Sequence, residues 1–354
     1  MDEGRITREG IRLHMPGDFA GMRAAGALAA RILDEVGPMV APGVTTGALD
    51  DFIRGRVTEL GATSATIGYR GYQHASCISV NHVVCHGIPG DKSLKDGDIL
   101  NIDVTVILDG WFGDTSRMYV AGKPSLKAQR LLQVTHDALM KGIEAVRPGN
   151  TFGDIGHAIQ TYAEERRMSV VRDFCGHGIG RVFHSPPNVL HFGRAGKGPV
   201  LEEGMFFTIE PMINLGRPET KVLADDWTAV TRDKSLSAQF EHSIGVTADG
   251  CEIFTPSDRF FPELAIIHWL RKHRKASSAP GGPGGGTPRH RAGRKTQARP
   301  DAADKNDGSI PCARSARCHL SSCDRSKIRS SAPSPVNQPL ASISVSSCPG
   351  PQPA

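Results

Sequence analysis

The 354-residue chain predicts an α/β (α+β) fold of two pseudo-symmetric halves, antiparallel sheets flanked by helices, followed by a disordered C-terminal tail. Three observations carry this expectation. Helical and strand-like periodicities run as helices then strands, twice over, across one domain of roughly 250 residues. An Asp-Gly pair between two β-rich arms, Asp109-Gly110, reads as the tight turn of a long hairpin. From Arg271 onward, 84 residues contain no Phe, Trp or Tyr while Pro, Gly and Ser supply 33 of them. Such a stretch cannot bury enough apolar surface to offset its ordering entropy. The expected boundary therefore separates a folded domain, residues 1–258, from a basic, Pro/Gly/Ser-rich extension, 259–354, that is largely disordered.

In chain order, residues 18–36 place apolar side chains at helical spacing behind an Asp18 cap, and Gly37-Pro38 stops the run. A second helix begins after Thr45-Thr46. Segments 76–84 and 98–120 are rich in β-branched residues. Past Pro124 the order repeats: a helix over 125–146, a Pro-Gly stop, a helix over 151–168, then strand-like runs at 205–214, 227–232 and 239–247. A site between two such halves is the default ligand position.

Charge divides the chain in the same place. Residues 271–354 hold 15 Lys and Arg against 4 Asp, while the remainder holds 27 basic residues against 33 acidic ones. The net charge of +5 thus belongs to the tail. Its basic clusters, 271–275 and 289–299, suit phosphate contact, including a ribosome, but lack aromatics on which bases could stack. A solvated extension without a role is the reading this composition favours. No window approaches 18 consecutive apolar residues, and the first ten residues mix acids with bases, which excludes a membrane span and a signal peptide. A cytoplasmic monomer is expected. The body cysteines, Cys77, Cys85, Cys175 and Cys251, form no C-x-x-C and are expected reduced; the tail's Cys312, Cys318 and Cys323 match no zinc spacing.

The strongest chemical signal is a set of carboxylates. The Asp109-Gly110 turn pairs Leu108 with Trp111, Val106 with Gly113 and Thr105 with Asp114. Strand alternation then places Asp103 on the face of Thr105, diagonal to Asp114, with Cα atoms roughly 7–8 Å apart. Flanking Leu100, Ile102, Val104 and Val106 make this hairpin half-buried. Ligand-type residues recur in Gly176-His177-Gly178, where the glycines leave room for close approach, in Glu210 at the end of an apolar strand before Pro211, and in Glu241 in another strand. If these five side chains meet, four carboxylates require protonation or cations, and two divalent ions balance the charge. Oxygen-rich ligation with one imidazole favours Co, Mn, Fe or Zn, and two ions about 3.5 Å apart would hold and acidify a water for hydrolysis. Singly, each of these residues is more commonly a turn, surface or core residue.

The segments Ser79 to Pro89, Asn101 to Thr105 with Asp114-Thr115-Ser116, Cys175 to Gly180, Phe183 to His191, Phe207 to Met212 and Ser235 to His242 together resemble the type I methionine aminopeptidases. The resemblance runs in order from about Met15 to Thr255. It implies the two-halved pita-bread fold and removal of the initiator methionine from nascent chains when the second residue is small. It also implies that Asp103 chelates one metal, that Asp114 and Glu241 bridge two, and that His177 with Glu210 completes the second. Glu210 would shuttle a proton, His184 would hydrogen-bond the substrate carbonyl or oxyanion, and His86 would contact the substrate backbone. The positions matching the methionine pocket are Tyr69, Tyr72, Cys77, Phe183 and Trp227.

Two departures stand out: His82 where relatives usually carry Glu, and Arg70 where they usually carry His. The rival readings are a prolidase or aminopeptidase P, disfavoured by His184-Ser185-Pro186-Pro187 in place of His-Glu-x-Pro, and a non-catalytic ribosome-associated module, disfavoured by five intact ligand types.

Overall fold

The structure, a computed structural model, describes residues 4–257 and 259. The expected disorder of the extension, its basic clusters and its cysteines lie outside the described residues, and the expected boundary after residue 258 falls at their limit.

A short antiparallel pair, β1 (Arg5–Ile6) and β2 (Arg12–Leu13), precedes the first half. That half comprises α1 (Asp18–Val36), α2 (Thr46–Glu59), β3 (Thr63–Ser64), β4 (Cys77–Val80), β5 (Val83–Cys85), β6 (Ile99–Leu108) and β7 (Trp111–Val120). β3 and β4 pair with β6 along one edge, and β7 pairs along the other. The helices bury Leu33 and Ile53 against Ile102 and Val104 of this sheet.

The hairpin register is the expected one, Thr105 opposite Asp114 and Asp103 opposite Ser116. Asp109 and Gly110 both take the left-handed conformation, φ 50° and 76°, that a two-residue turn between twisted strands needs. The run at 76–84 instead breaks at Asn81, φ 59°, so β4 stays with β6 while β5 leaves to join the second half. The expected Asp18 cap is also corrected. Gly17 is the capping position, and Asp18 Oδ2 accepts from the Met15 N–H at 2.9 Å, closing the turn before the helix. The second helix starts as expected, with Thr45 Oγ1 accepting from Ala48 N at 3.1 Å.

The second half repeats the plan with α3 (Leu126–Glu144), α4 (Phe152–Glu165), β8 (Ser169–Val170), β9 (Gly176–Gly178), β10 (Ser185–Val189), β11 (Phe206–Ile209), β12 (Met212–Asn214), β13 (Thr220–Val222), β14 (Ala229–Thr231), β15 (Ser237–Gln239), β16 (His242–Val246) and β17 (Cys251–Ile253). Its main sheet has the order β10-β9-β11-β16-β17, and Phe207 and Ile244 pack beneath Leu139 and Ile155 of the helices. A small sheet, β13-β14-β5, crosses between the halves. Helix α4 ends earlier than 168 because Arg167 takes φ 62°. Two expected strands are interrupted: 205–214 at Glu210-Pro211, and 239–247 at Phe240-Glu241, so Glu241 lies between strands rather than within one.

Helix α1 lies so close to β7 that a Cβ at Gly113 would overlap the Ala25 carbonyl. Both partners are backbone and cannot rotate away. A Gly113→Ala substitution is expected to destabilise the protein by about 1–3 kcal/mol, the usual cost of overpacking, read as a lower urea midpoint with an unchanged slope.

Candidate metal centre and substrate cavity

The two halves are laced together where the carboxylates sit. Glu241 N–H donates to the Ser116 carbonyl at 3.0 Å, Thr115 Oγ1 donates to the Glu241 carbonyl at 2.7 Å, and Ser243 Oγ donates to the Asp114 carbonyl at 2.6 Å. Asn101 Nδ2 adds a bond to the Gln239 carbonyl at 2.9 Å. Glu241 can form its two bonds because 240–241 lies between strands β15 and β16. Asp114 of the first half and Glu241 of the second are thereby brought to one point.

Asp114, His177 and Glu241 offer ligand atoms that all lie within 4.8 Å of one another. His177 Nε2 is 3.4 Å from Asp114 Oδ2 and 3.8 Å from Glu210 Oε1. Its Nδ1 is 3.1 Å from the Gly178 carbonyl, which can only accept, so Nδ1 carries the proton and Nε2 faces the carboxylates. The glycines beside His177 serve neighbouring strands. A Cβ on Gly176 would overlap the Thr208 carbonyl of β11, and one on Gly178 the Pro186 carbonyl of β10.

Burial, then the charges of Asp114 and Glu210, push the Asp103 carboxyl well above its ordinary range. Burial and the neighbouring carboxylates do the same to Glu241. Burial raises Glu210 to about 7, with His177 opposing and Asp114 adding. This crowding of acidic oxygens around one imidazole nitrogen is what divalent cations relieve, and the donor set fits them.

All twelve residues singled out from the sequence line a single cavity of about 540 Å³: the five ligand candidates together with Tyr69, Tyr72, Cys77, His86, Phe183, His184 and Trp227. Two aromatic walls flank the carboxylates. In one, His184 lies between Tyr69, ring centroids 5.2 Å apart, and His177, 4.1 Å, with Phe183 beside Tyr69 at 5.0 Å. Burial, then the charges of His177, His86 and Arg70, push His184 down to about 2, so it stands neutral. In the other wall, Trp227 packs on Tyr72 at 4.9 Å and meets His86 edge-on at 6.2 Å. His86 holds a left-handed φ of 55°, a costly conformation for a non-glycine residue. Burial pushes the Cys77 thiol up to about 12, leaving a soft, uncharged surface.

Arg70 is exposed at the mouth, its guanidinium 5.4 Å from the Tyr69 ring. His82 lies apart from the cavity, in a shallow hollow with Lys234 and Asp96.

Several residues with work at this site carried no assignment in the sequence reading. Thr105 Oγ1 donates to Asp114 Oδ1 at 2.7 Å. Thr208 Oγ1 donates to Glu210 Oε1 at 2.9 Å and accepts from His177 N at 3.0 Å. Gln239 Nε2 donates to Glu210 Oε2 at 3.2 Å, and buried His191 accepts the Glu210 N–H at 3.1 Å. The Thr105 contact was implicit in the hairpin register and Thr208 in strand alternation two residues before Glu210. Gln239 and His191 had no local signal.

Comparison with known proteins agrees with this geometry. A family model described as metallopeptidase family M24 matches residues 20–248. A methionine aminopeptidase from Rickettsia prowazekii is 60% identical over 250 residues, covering 70% of this chain and 96% of that protein. One from Escherichia coli strain K12 is 52% identical over 250 residues, covering 69% and 94%. The crystal structure of the Rickettsia prowazekii enzyme aligns with a TM-score of 0.69, covering 70% of this chain and 100% of the other at 60% identity. A prolidase from Pyrococcus horikoshii, 19% identical with a TM-score of 0.57 over 70% and 64% of the two chains, shares the fold alone. The chain belongs to metallopeptidase family M24, and its pita-bread fold and acidic site are those of a metallo-exopeptidase that uses divalent metal. Within that family it groups with the type I methionine aminopeptidases.

Proposed function

We propose that this chain removes the initiator methionine from nascent polypeptides whose second residue is small, with two divalent ions held by Asp103, Asp114, His177, Glu210 and Glu241. The observation that carries the reading is the meeting of these residues and the aromatic walls in one cavity, in a chain 52–60% identical to methionine aminopeptidases. Two ions match the four carboxylate charges, and oxygen donors with one imidazole suit Co, Mn, Fe or Zn. When bound, the ions supply positive charge that polarises the scissile carbonyl, acidifies water and ligates a free α-amine.

The chain's own groups do the rest. Glu210, held by Thr208 and Gln239, takes a proton from the attacking water and returns it to the leaving amine. Neutral His184 keeps an N–H to donate to the carbonyl oxygen as charge develops there. His86 steadies the peptide backbone. Tyr69, Tyr72, Cys77, Phe183 and Trp227 enclose the thioether and exclude water, with the Cys77 thiol a polarizable contact for sulfur. The reaction takes place on free nascent-chain termini in the cytoplasm, carried out by a monomer. Among the described residues no helix is long and apolar enough to cross a membrane, and the reading requires no ribosome contact.

The metal-loaded protein is expected to cleave Met-Ala-Ser and to leave Met-Lys-Ser and N-acetyl-Met-Ala-Ser intact, followed by release of free methionine. Turnover of the acetylated peptide at the rate of the free one would remove amine ligation from the mechanism.

A further inference from the structure

We infer that Asp50, on α2 and outside the cavity, is a positioning residue that sets the methionine-side-chain wall through Ser76 and Tyr72; the inference rests on the reading of Tyr72 and Cys77 as part of that wall. Asp50 is 2% exposed and Ser76 fully buried. Ser76 Oγ donates to Asp50 Oδ1 at 2.7 Å, and the Tyr72 hydroxyl donates to the Ser76 carbonyl at 2.9 Å. The other carboxylate oxygen, Oδ2, lies 3.5 Å from His74 Nδ1 and 3.6 Å from Arg54 Nη2. Arg54 Nη2 in turn donates to the Gln73 carbonyl at 2.9 Å. One carboxylate on a helix thus reaches Tyr72, Gln73, His74 and Ser76, directly or through one intermediary, and Cys77 is the next residue.

The loop has ties of its own. Thr66 Oγ1 donates to the His74 carbonyl at 2.7 Å, and Gly68 N–H donates to the Tyr72 carbonyl at 2.7 Å. These bonds keep the loop closed on itself but do not seat it on α2. Arg54 of α2 ties the loop at the Gln73 carbonyl, whereas the attachment at Ser76, the residue beside Cys77, runs through Asp50. Helix α2 already buries Leu49, Ile53 and Val57, so an apolar residue at 50 would seal the same surface without desolvating a charge. What the carboxylate adds is a defined position for Ser76, hence for the Tyr72 ring that packs at a tilt against Trp227. A wall that drifts loses contact with a long flexible side chain more than it disturbs the reacting bond.

The test compares the metal-loaded, full-length protein with its Asp50→Ala, Asp50→Asn and Ser76→Ala variants, measuring kcat and KM for Met-Ala-Ser and Leu-Ala-Ser. Asp50→Ala and Ser76→Ala are expected to lower kcat/KM for Met-Ala-Ser by roughly tenfold, chiefly through KM, and to narrow the preference for Met over Leu. Asp50→Asn keeps an acceptor for Ser76 Oγ and is expected to retain most of that preference. An Asp50→Ala, Tyr72→Phe double variant is expected to be no worse than the poorer single one, because both break the same chain of bonds. The proposal is overturned if the Met:Leu ratio is unchanged while both peptides lose activity together, if Asn performs no better than Ala, or if the two effects add. Should Asp50→Ala fail to fold, Ser76→Ala decides the matter, since it removes one hydroxyl. A wild type without preference for Met over Leu, or a Trp227→Ala variant that keeps it, counts against the wall itself; a preference lost with Trp227→Ala but kept in the Asp50 and Ser76 variants overturns the role of Asp50 alone.

Discussion

Chelating divalent ions from this protein is expected to reduce Met-Ala-Ser cleavage to background, and the stabilisation gained on restoring them should grow as pH rises from 5 to 8. The sign follows from the acidic cluster. Burial and mutual repulsion raise Asp103, Glu210 and Glu241 above their unfolded values. His177 is raised too, because Asp114 and Glu210 outweigh the opposing effect of burial. Groups raised in the folded state favour folding at low pH, and that contribution disappears as pH climbs through the folded value. For Glu210 the window runs from 4.5 to about 7 and corresponds to on the order of 3 kcal/mol in the metal-free protein. Metal removes this loss, since bound ions replace the protons. Buried His14, His184, His191 and His242 act in the opposite sense: burial holds each below 6.5, so folding gains as pH rises towards that value. None of these four belongs to the proposed ligand set, and each is already neutral in the folded protein at pH 5, so they contribute alike from pH 5 to 8 with and without the ions. Melting curves at pH 5, 6.5 and 8, with and without metal, therefore isolate the ligands in their difference. A difference that is flat or shrinks with pH would contradict the ligand set.

Glu210→Gln is the second large effect. Gln matches the carboxylate in shape; its oxygen can still accept from Thr208, and its amide N–H can donate to Gln239 once that side chain turns its own oxygen inward, so the pocket should keep its form. What it loses is the ability to move a proton, together with one charged ligand oxygen of the proposed metal set, so the two proteins are compared at metal concentrations that saturate each. The expected result is a fall in kcat by about 10²–10⁴-fold, the usual value of a positioned acid–base group, with KM changed little. Removing one of several mutually repelling carboxylates should leave the metal-free protein at least as stable as wild type. Steady-state kinetics and thermal melts of the metal-free form check both parts. An unchanged kcat removes Glu210 from the proton step, and a large drop in melting temperature would make its role structural.

The hairpin carrying Asp103 and Asp114 was legible in advance down to its register, because a two-residue turn with left-handed positions at Asp109 and Gly110 leaves strand alternation no freedom. Helix starts at Thr45 and Ser125 were legible for a similar reason, since each is capped by a side chain three residues from its partner. Where a local rule met a competing contact it failed, whether that contact was itself local or came from the other half. Asp18 turned back to Met15 instead of capping α1, and 239–247 broke at Glu241 because that residue's N–H is taken by Ser116 in the other half. His191, Gln239 and Asp50 stand within hydrogen-bond reach of the groups they support, yet 19, 29 and 26 positions from Glu210, Glu210 and Ser76 along the chain.

From sequence alone came the two-halved plan, the pairing within the hairpin, the identities of the ligand candidates by resemblance, and the basic character of the tail. All of these depend on short-range sterics, on periodicity or on residue type. The tertiary structure alone decided that Asp114 and Glu241 meet, which way His177 turns its free nitrogen, and which neutral donors hold Glu210. The first of these depends on bonds between segments more than 100 residues apart, such as Thr115 to Glu241 and Asn101 to Gln239; the others depend on partners 1 to 29 positions away that the folded sheets select, and no periodicity names such partners.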